Sequence, residues 1–186
     1  EVANIDTIPA SGGDRQYYRL QTSSGNLIAT NSTNIEETNT FLAFSKTFAD
    51  LQLPVPTIIA VNDAHDWYIQ TDVGKDCLLD VVLHNGITDE VIKLYQQAIT
   101  ALPKFQILAH PHINYELCLA SKKFDAAAAL FDLNYYATYY LQQLHIPYDA
   151  DALQQEFIAI SNTIGKIEPQ YFMYRDLQGR NIMVQD

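Results

Sequence analysis

The hydrophobic pattern of the chain changes at residues 72–76, and this change constrains the fold more than any other feature. Before it, short alternating runs separated by turn-forming residues predict two β-hairpins with one amphipathic helix between them. After it, the apolar spacing is typical of helices as far as residue 168. The pattern therefore predicts an α+β fold of two lobes, a small antiparallel-sheet lobe at 1–74 and a mainly helical lobe at 75–186.

Local signals place the elements of the first lobe. Four short runs predict strands at 17–20, 25–30, 57–61 and 67–71. Asn34 can cap the helix between the two hairpins, because its side-chain oxygen can accept a hydrogen bond from the first helical turn. Glu36 and Glu37 suit the positive end of the helix dipole. The stripe of this helix that we expect in the core is Phe41, Phe44, Phe48 and Leu51.

Three helical stretches are predicted in the second lobe. The first runs from Asp89 to Leu102, where Pro103 ends or kinks it. The second lies between Asp125 and Leu144 and carries four tyrosines, which we interpret as packing residues because no basic residues alternate with them. The third is predicted to start at Asp151, which could form a capping box with Gln154.

The last polar segment of the chain carries the most specific chemical pattern. Apolar residues at 171–174 and 182–184 predict two short strands around a loop that contains Arg175, Asp176 and Asn181. This spacing is that of a phosphotransferase catalytic loop, in which the Asp accepts the proton of the attacking hydroxyl and the Asn holds Mg²⁺. An ordinary polar turn is the alternative, because Arg-Asp followed by a nearby Asn also arises by chance.

A second candidate segment lies near the start of the chain. Ser11, Gly12 and Gly13 precede Arg15, and adjacent glycines allow backbone amides to approach an anion closely. These amides, with Arg15 beside them, could bind phosphates. The alternative is a simple hairpin turn, which is the more common role of a Gly-Gly pair.

Composition limits the possible partners. The formal net charge of −11 argues against a nucleic-acid or anionic-membrane surface, because phosphates would be repelled. Cys77 and Cys118 have neither zinc-site spacing nor a disulfide pattern. No stretch has the length of a signal peptide or a membrane span, so we expect a cytoplasmic protein.

These segments occur in the order of the parts of a protein-kinase-like phosphotransferase. The chain resembles the aminoglycoside phosphotransferase and choline kinase superfamily, and especially its bacterial sugar-kinase branch, that of kinases for N-acetylmuramate and N-acetylglucosamine. The stretches that carry the resemblance are 11–20, 53–56, 68–74 and 174–184.

The resemblance implies an enzyme that uses ATP and Mg²⁺ to phosphorylate a hydroxyl of a small molecule, namely a sugar, an amino sugar or an aminoglycoside. It assigns Asp176 as the catalytic base, Asn181 as a Mg²⁺ ligand and Arg175 as a residue that steadies the loop. The implied nucleotide-binding groups are the backbone at Ser11, Gly12 and Gly13, the charge of Arg15, and the backbone from Gln70 to Asp72.

Departures from the family pattern keep a second hypothesis open. Tyr174 stands where the pattern has His, and the second strand lacks the Lys that would pair with a helix Glu. Arg15 or Arg19 could supply that charge. The family's second Mg²⁺ ligand lies on a later strand, so we expect the chain to be a fragment truncated before it. The alternatives are a degenerate kinase-like module that binds nucleotide or a protein partner without transfer, and an unrelated α+β binding domain.

Overall fold

A computed structural model describes residues 1–9, 14–168 and 170–185. The described residues form an antiparallel sheet and five α-helices, which confirms the predicted α+β class. Proximity divides the chain into two compact units, Glu1–Ile113 with Tyr174–Asp186, and Asn114–Met173. These units group residues by proximity, whereas the boundary predicted at 74–75 separates a sheet lobe from a helical lobe. That lobe boundary stays a prediction.

The sheet has five antiparallel strands in the order β1-β2-β3-β5-β4. Both predicted hairpins are confirmed, because β2 pairs with β3 and β4 pairs with β5. β5 lies between β3 and β4, so it joins the two hairpins into one sheet. The strands are β1 (Val2–Ile8), β2 (Gln16–Thr22), β3 (Gly25–Asn31), β4 (Ile58–Val61) and β5 (Trp67–Thr71).

The edge strand β1 was not predicted from the sequence. It pairs with β2 from Val2 opposite Thr22 to Ile8 opposite Tyr17, and almost all of its residues are exposed. A strand that buries neither face needs no regular alternation of apolar and polar residues, so its sequence carries little signal. Backbone pairing with β2 holds β1 at the edge of the sheet.

Helix α1 (Ile35–Asp50) begins where the sequence predicts. The Asn34 side chain accepts a 3.0 Å hydrogen bond from the backbone N–H of Glu37, which confirms the predicted cap. Phe48 is buried, and Phe41 packs on buried Tyr68 of β5 with ring centroids 5.1 Å apart. The aromatic stripe therefore attaches α1 to the sheet.

Two further helices belong to the same unit, α2 (Leu78–Asn85) and α3 (Asp89–Ala109). Of the two predicted effects of Pro103, an end or a kink, the structure excludes an end, because the helix continues through Pro103 to Ala109. Phe105 is buried and its ring packs 5.2 Å from that of Phe48. This tertiary packing offsets the loss of one helical hydrogen bond at the proline.

The unit Asn114–Met173 contains α4 (Ala126–Tyr136), a π-helical continuation (Ala137–Gln142) and α5 (Ala150–Ile164). Helix α4 packs on α5. The predicted capping box at Asp151 is wrong, because α5 starts earlier and Asp149 caps it by accepting a 3.0 Å hydrogen bond from the N–H of Ala152.

The four tyrosines of this unit are not packing residues, so that prediction is wrong. Each is about half exposed, and they stack on one another at the helical spacing of four residues. The ring centroids are 4.2 Å apart for Tyr135 and Tyr139 and 5.2 Å apart for Tyr136 and Tyr140.

Across the described parts of the chain, every helix is too short or too polar to cross a membrane.

Candidate functional site

The segment that carries the catalytic-loop pattern starts at a half-buried tyrosine. The Tyr174 ring packs 5.4 Å from Phe105 of α3, and Phe105 in turn packs on Phe48 of α1. Burial raises the pKa of the Tyr174 phenol above its ordinary value. Tyr174 therefore stays neutral at physiological pH and anchors the start of the loop through aromatic packing.

The end of the loop is anchored by backbone pairing. Met183 forms an isolated antiparallel bridge with Cys77, the N–H of Leu78 donates to the carbonyl of Ile182 at 2.8 Å, and the N–H of Val184 donates to the carbonyl of Asp76 at 2.9 Å. The prediction of two short strands around the loop is wrong. No strand forms at 171–174, and the pairing at 182–184 cannot extend because its partner segment becomes helix α2 at Leu78.

Between these anchors the loop folds onto the backbone of Asp176. The Asp176 carbonyl accepts hydrogen bonds from the N–H of Gln178 at 2.9 Å and from Nδ2 of Asn181 at 3.0 Å. Asp176 has a φ of 39°, in the left-handed region that Asp and Asn tolerate better than most residues. A 3₁₀ turn (Gly179–Asn181) completes the loop, and the Asp176 residue is exposed.

Glycine at position 179 lets this loop lie against helix α2. A Cβ built at Gly179 would be 3.2 Å from the backbone N of Leu79, tighter than most contacts of real Cβ atoms. The sequence pattern did not identify this role for Gly179. The loop is thus held at its start, at its end and beside α2, while Arg175 and Asp176 remain exposed.

The loop offers hard oxygen ligands that fit Mg²⁺ chemistry. Nδ2 of Asn181 is used by the hydrogen bond to Asp176, which leaves the amide oxygen Oδ1 as the atom that could coordinate a cation. Within 1–9, 14–168 and 170–185, no group of three or more His, Cys, Asp or Glu residues could hold a metal. A shell of one or two protein oxygens completed by phosphates and water suits Mg²⁺, which seldom has an all-protein cage.

A second part of the site is a corner at the end of β5, which we call the Arg19 corner (Arg19, Asp72 and Gly74). Arg19 donates from Nε to Oδ2 of Asp72 at 2.6 Å, from Nη2 to Oδ1 at 3.2 Å, and from Nη2 to the carbonyl of Gly74 at 2.8 Å. The N–H of Gly74 also donates to Asp72 Oδ1, at 3.1 Å. The Asp72 carboxylate therefore has a structural role in joining β2 to the segment after β5.

The Arg19 corner lies against the end of the loop at 174–184. Gly74 has a φ of +118°, and a Cβ built on it would be 2.6 Å from the carbonyl oxygen of Val184. A polar cleft of about 490 Å³ opens here. It is lined by Asn26, Asp72, Gly74, Lys75, Asp76 and Val184.

Of the other predicted nucleotide-binding groups, the structure describes Gln70 and not the segment at 11–13. Gln70 is within β5 and pairs with Ile28 on one side and Ile58 on the other, so its backbone is inside the sheet. Ser11, Gly12 and Gly13 lie outside the described residues. Their roles, and that of the Gln70–Asp72 backbone, stay predictions.

Arg15 forms a second corner with helix α1, which we call the Arg15 corner (Arg15, Glu37 and Phe41). Nη2 of Arg15 is 2.7 Å from Oε1 of Glu37, and the guanidinium lies over the Phe41 ring at 5.1 Å from its centroid. Strand β3 lacks the Lys that the resemblance predicts, and Arg15 and Arg19 are the two residues that could supply its charge. Of these two, Arg15 is the one that contacts a helix glutamate. Arg19, in the middle of β2, is engaged by Asp72 and Gly74 instead.

A scan of models of known protein families and a search of curated proteins both found no match to this chain.

Proposed function

We propose that this chain is part of an ATP-dependent phosphotransferase that moves a phosphoryl group to a hydroxyl of a sugar, amino sugar or aminoglycoside. The observation that carries the proposal is the geometry of the loop at 174–184. Asn181 is fastened to the backbone of Asp176, and the Asp176 residue is exposed beside it. The two residues with the proposed catalytic roles therefore belong to one hydrogen-bonded turn.

In this proposal each residue of the loop has one task. The Asp176 carboxylate orients the acceptor hydroxyl and accepts its proton as the phosphoryl group transfers. Oδ1 of Asn181 would hold Mg²⁺, and the ion would supply neutralisation of the phosphate charge. Phosphoryl transfer depends on positioning and electrostatic stabilisation more than on covalent chemistry. A loop anchored at Tyr174, at Gly179 and at Met183 supplies that positioning.

The order of the preceding elements supports the same proposal. A hairpin, a helix with early glutamates and a second hairpin come before the helices and the loop, which is the order of parts in protein-kinase-like phosphotransferases. The strand order β1-β2-β3-β5-β4 combines the two hairpins into one sheet. ATP would bind between this sheet and the loop.

One observation favours the alternative of nucleotide binding without transfer. β3 (Gly25–Asn31) carries no Lys that could meet the phosphates. A module of this kind would bind Mg·ATP and would not phosphorylate any acceptor. Transfer and binding therefore have to be measured separately.

The decisive substitution is Asp176→Asn, which keeps the shape of the side chain and removes the base. We expect kcat to fall by about a hundredfold to ten-thousandfold, because that is the usual contribution of general base catalysis. Affinity for Mg·ATP should change little. The assay measures ADP release with a panel of N-acetylated amino sugars, neutral sugars and aminoglycosides as acceptors.

Gln178→Ala is the matched control, because Gln178 is exposed in the same loop and contributes a backbone bond to the turn. Its turnover should stay near that of the unsubstituted chain. Normal turnover by Asp176→Asn would contradict the proposed base. Mg²⁺-dependent stabilisation by ATP without transfer to any acceptor would favour the non-catalytic alternative, and no stabilisation at millimolar ATP would contradict both.

A further inference from the structure

Strand β3 (Gly25–Asn31) lacks the cation that the resemblance predicts, so another residue has to meet the phosphates if the chain binds a nucleotide. The candidates near the sheet are Arg15, at the start of β2, and Arg19, within it. They lie on the same side of the extended chain, about 13 Å apart by the rise of a strand. Their hydrogen bonds distinguish them.

Arg19 has little capacity left for a ligand. Its Nε and Nη2 groups are both engaged, by the Asp72 carboxylate and by the Gly74 carbonyl. The two arginine side chains are similarly buried, at 16% exposed for Arg19 and 19% for Arg15, but the Asp72 partner of Arg19 is only 9% exposed. Pulling Arg19 towards a phosphate would leave a buried carboxylate without its cation, which is strongly unfavourable.

Arg15 has donors to spare. One N–H group contacts Glu37, and the buried Nε has no hydrogen-bond acceptor among the described residues. A buried donor without an acceptor is unfavourable, so an anionic oxygen that reached the guanidinium would relieve an existing deficit. The Arg15 side chain is 19% exposed, Phe41 supports its guanidinium from one face, and Glu37 is 48% exposed, so the charge is held in place beside a carboxylate that is open to solvent.

We propose that Arg15 binds a phosphate of the nucleotide and that Glu37 is its positioning residue. The Arg15–Glu37 pair takes the place of the strand lysine and helix glutamate of the family pattern. Its cation lies just before β2, whereas the lysine of the pattern would lie on β3. This inference rests on the proposed function, since it names the phosphate-binding cation of that site. Arg15 also immediately follows the predicted phosphate-binding segment at 11–13.

The choice of arginine has a consequence for binding. A guanidinium presents a planar fork that can make two parallel hydrogen bonds to a phosphate, whereas a lysine ammonium acts as a point charge. The site should therefore distinguish phosphorylated nucleosides from free nucleosides through Arg15. Lysine at this position should restore only part of the difference.

The test is isothermal titration calorimetry of the whole chain with Mg·ATP, Mg·ADP and adenosine. In Arg15→Gln the Kd for Mg·ATP should rise about tenfold to a hundredfold, the range for loss of a charged hydrogen-bonding partner. The Kd for adenosine should stay within about twofold. Arg15→Lys should recover part of the loss, and Glu37→Gln should weaken Mg·ATP about threefold to tenfold because the guanidinium loses its anchor.

Lys46→Gln is the matched control, because Lys46 pairs with Asp50 on the surface of the same helix. It should leave all three dissociation constants unchanged. The readout is the ratio of the Kd for adenosine to that for Mg·ATP, which a purely structural role of Arg15 would not move.

An unchanged ratio in Arg15→Gln would overturn the inference and leave the proposed function standing, provided the unsubstituted chain binds Mg·ATP. If Arg15→Gln does not fold, the ratio in Glu37→Gln decides, and an unchanged ratio there overturns the inference. Absence of Mg·ATP binding by the unsubstituted chain would overturn the proposed function and this inference together.

Discussion

The Arg15 and Arg19 corners use the same side chain for different purposes. Arg19 makes three hydrogen bonds and its carboxylate partner is 9% exposed, while Arg15 has one carboxylate contact and its partner is 48% exposed. An arginine with three engaged donors and a buried carboxylate partner holds segments together. An arginine with one engaged donor and an exposed partner is the one that we propose to bind a ligand, so the number of bonds and the burial of the partner distinguish the two where residue type cannot.

The largest effect should come from Gly74→Ala, which breaks the Arg19 corner at its backbone. The φ of +118° disfavours a side chain, and the new Cβ would meet the Val184 carbonyl oxygen at 2.6 Å. We expect a loss of about 4 kcal/mol in the free energy of unfolding, from dihedral strain and steric overlap together. Urea titration followed by circular dichroism measures it.

Gly25→Ala is the control for dihedral strain alone. Gly25 has a φ of +119°, and a Cβ built on it has no neighbour within 4 Å. Its loss should be about 2 kcal/mol, since only backbone strain is added. Equal losses at both positions would contradict the close approach of the loop segment to Gly74.

The next largest effect should come from Arg19→Ala, which leaves the Asp72 carboxylate without its cationic partner. We expect a loss of about 3 kcal/mol, because removing one partner of a largely buried ion pair leaves the other charge uncompensated. The Arg19→Ala/Asp72→Ala double variant should lose less than the sum of the single variants. A double-mutant cycle in urea gives the coupling energy.

Arg15→Gln sharpens the comparison in the same titration. Its loss should stay below about 1 kcal/mol, because Glu37 remains well solvated without its partner. A loss as large as that of Arg19→Ala would mean that Arg15 also holds the fold, and the distinction between the two corners would fail.

The smallest effect concerns Tyr68, which packs on Phe41 beneath the Arg15 corner. Burial raises the pKa of Tyr68 in the folded chain, whereas the unfolded phenol has a pKa of about 10. Its contribution to stability is therefore fully present below about pH 10 and is lost as the pH rises through the folded pKa. Tyr68→Phe should reduce the slope of stability against pH above about pH 10, measured by urea titration between pH 9 and 11. An unchanged slope would show that Tyr68 does not titrate differently in the two states.

Local patterns predicted the sheet hairpins and the start of α1 because those elements depend on neighbouring residues. Asn34 caps α1 through a bond to Glu37, three positions away, so the signal lies within one short window. The continuation of α3 past Pro103 depends on Phe105 packing against distant Phe48, which no local window contains.

The residue types of the candidate site can be read from the sequence, whereas their contacts cannot. The Arg-Asp and Asn spacing located the loop, but the bond from Asn181 to the Asp176 carbonyl requires a turn that the spacing alone does not specify. The sequence likewise left open whether Arg15 or Arg19 supplies the charge missing from β3. Which arginine contacts a helix glutamate depends on how β2 packs against α1 and against the segment after β5. These are tertiary contacts that a local window does not contain.

The bridge between Cys77 and Met183 also bears on the order in which the molecule folds. The hairpins close over a few residues each, whereas this bridge joins segments separated by nearly all of the helical sequence, so its loop-closure entropy is much larger. During synthesis the sheet can assemble long before residue 183 has been made. The loop at 174–184 should therefore acquire its structure after the sheet, and a nascent chain can hold the Arg15 corner before this loop has been made.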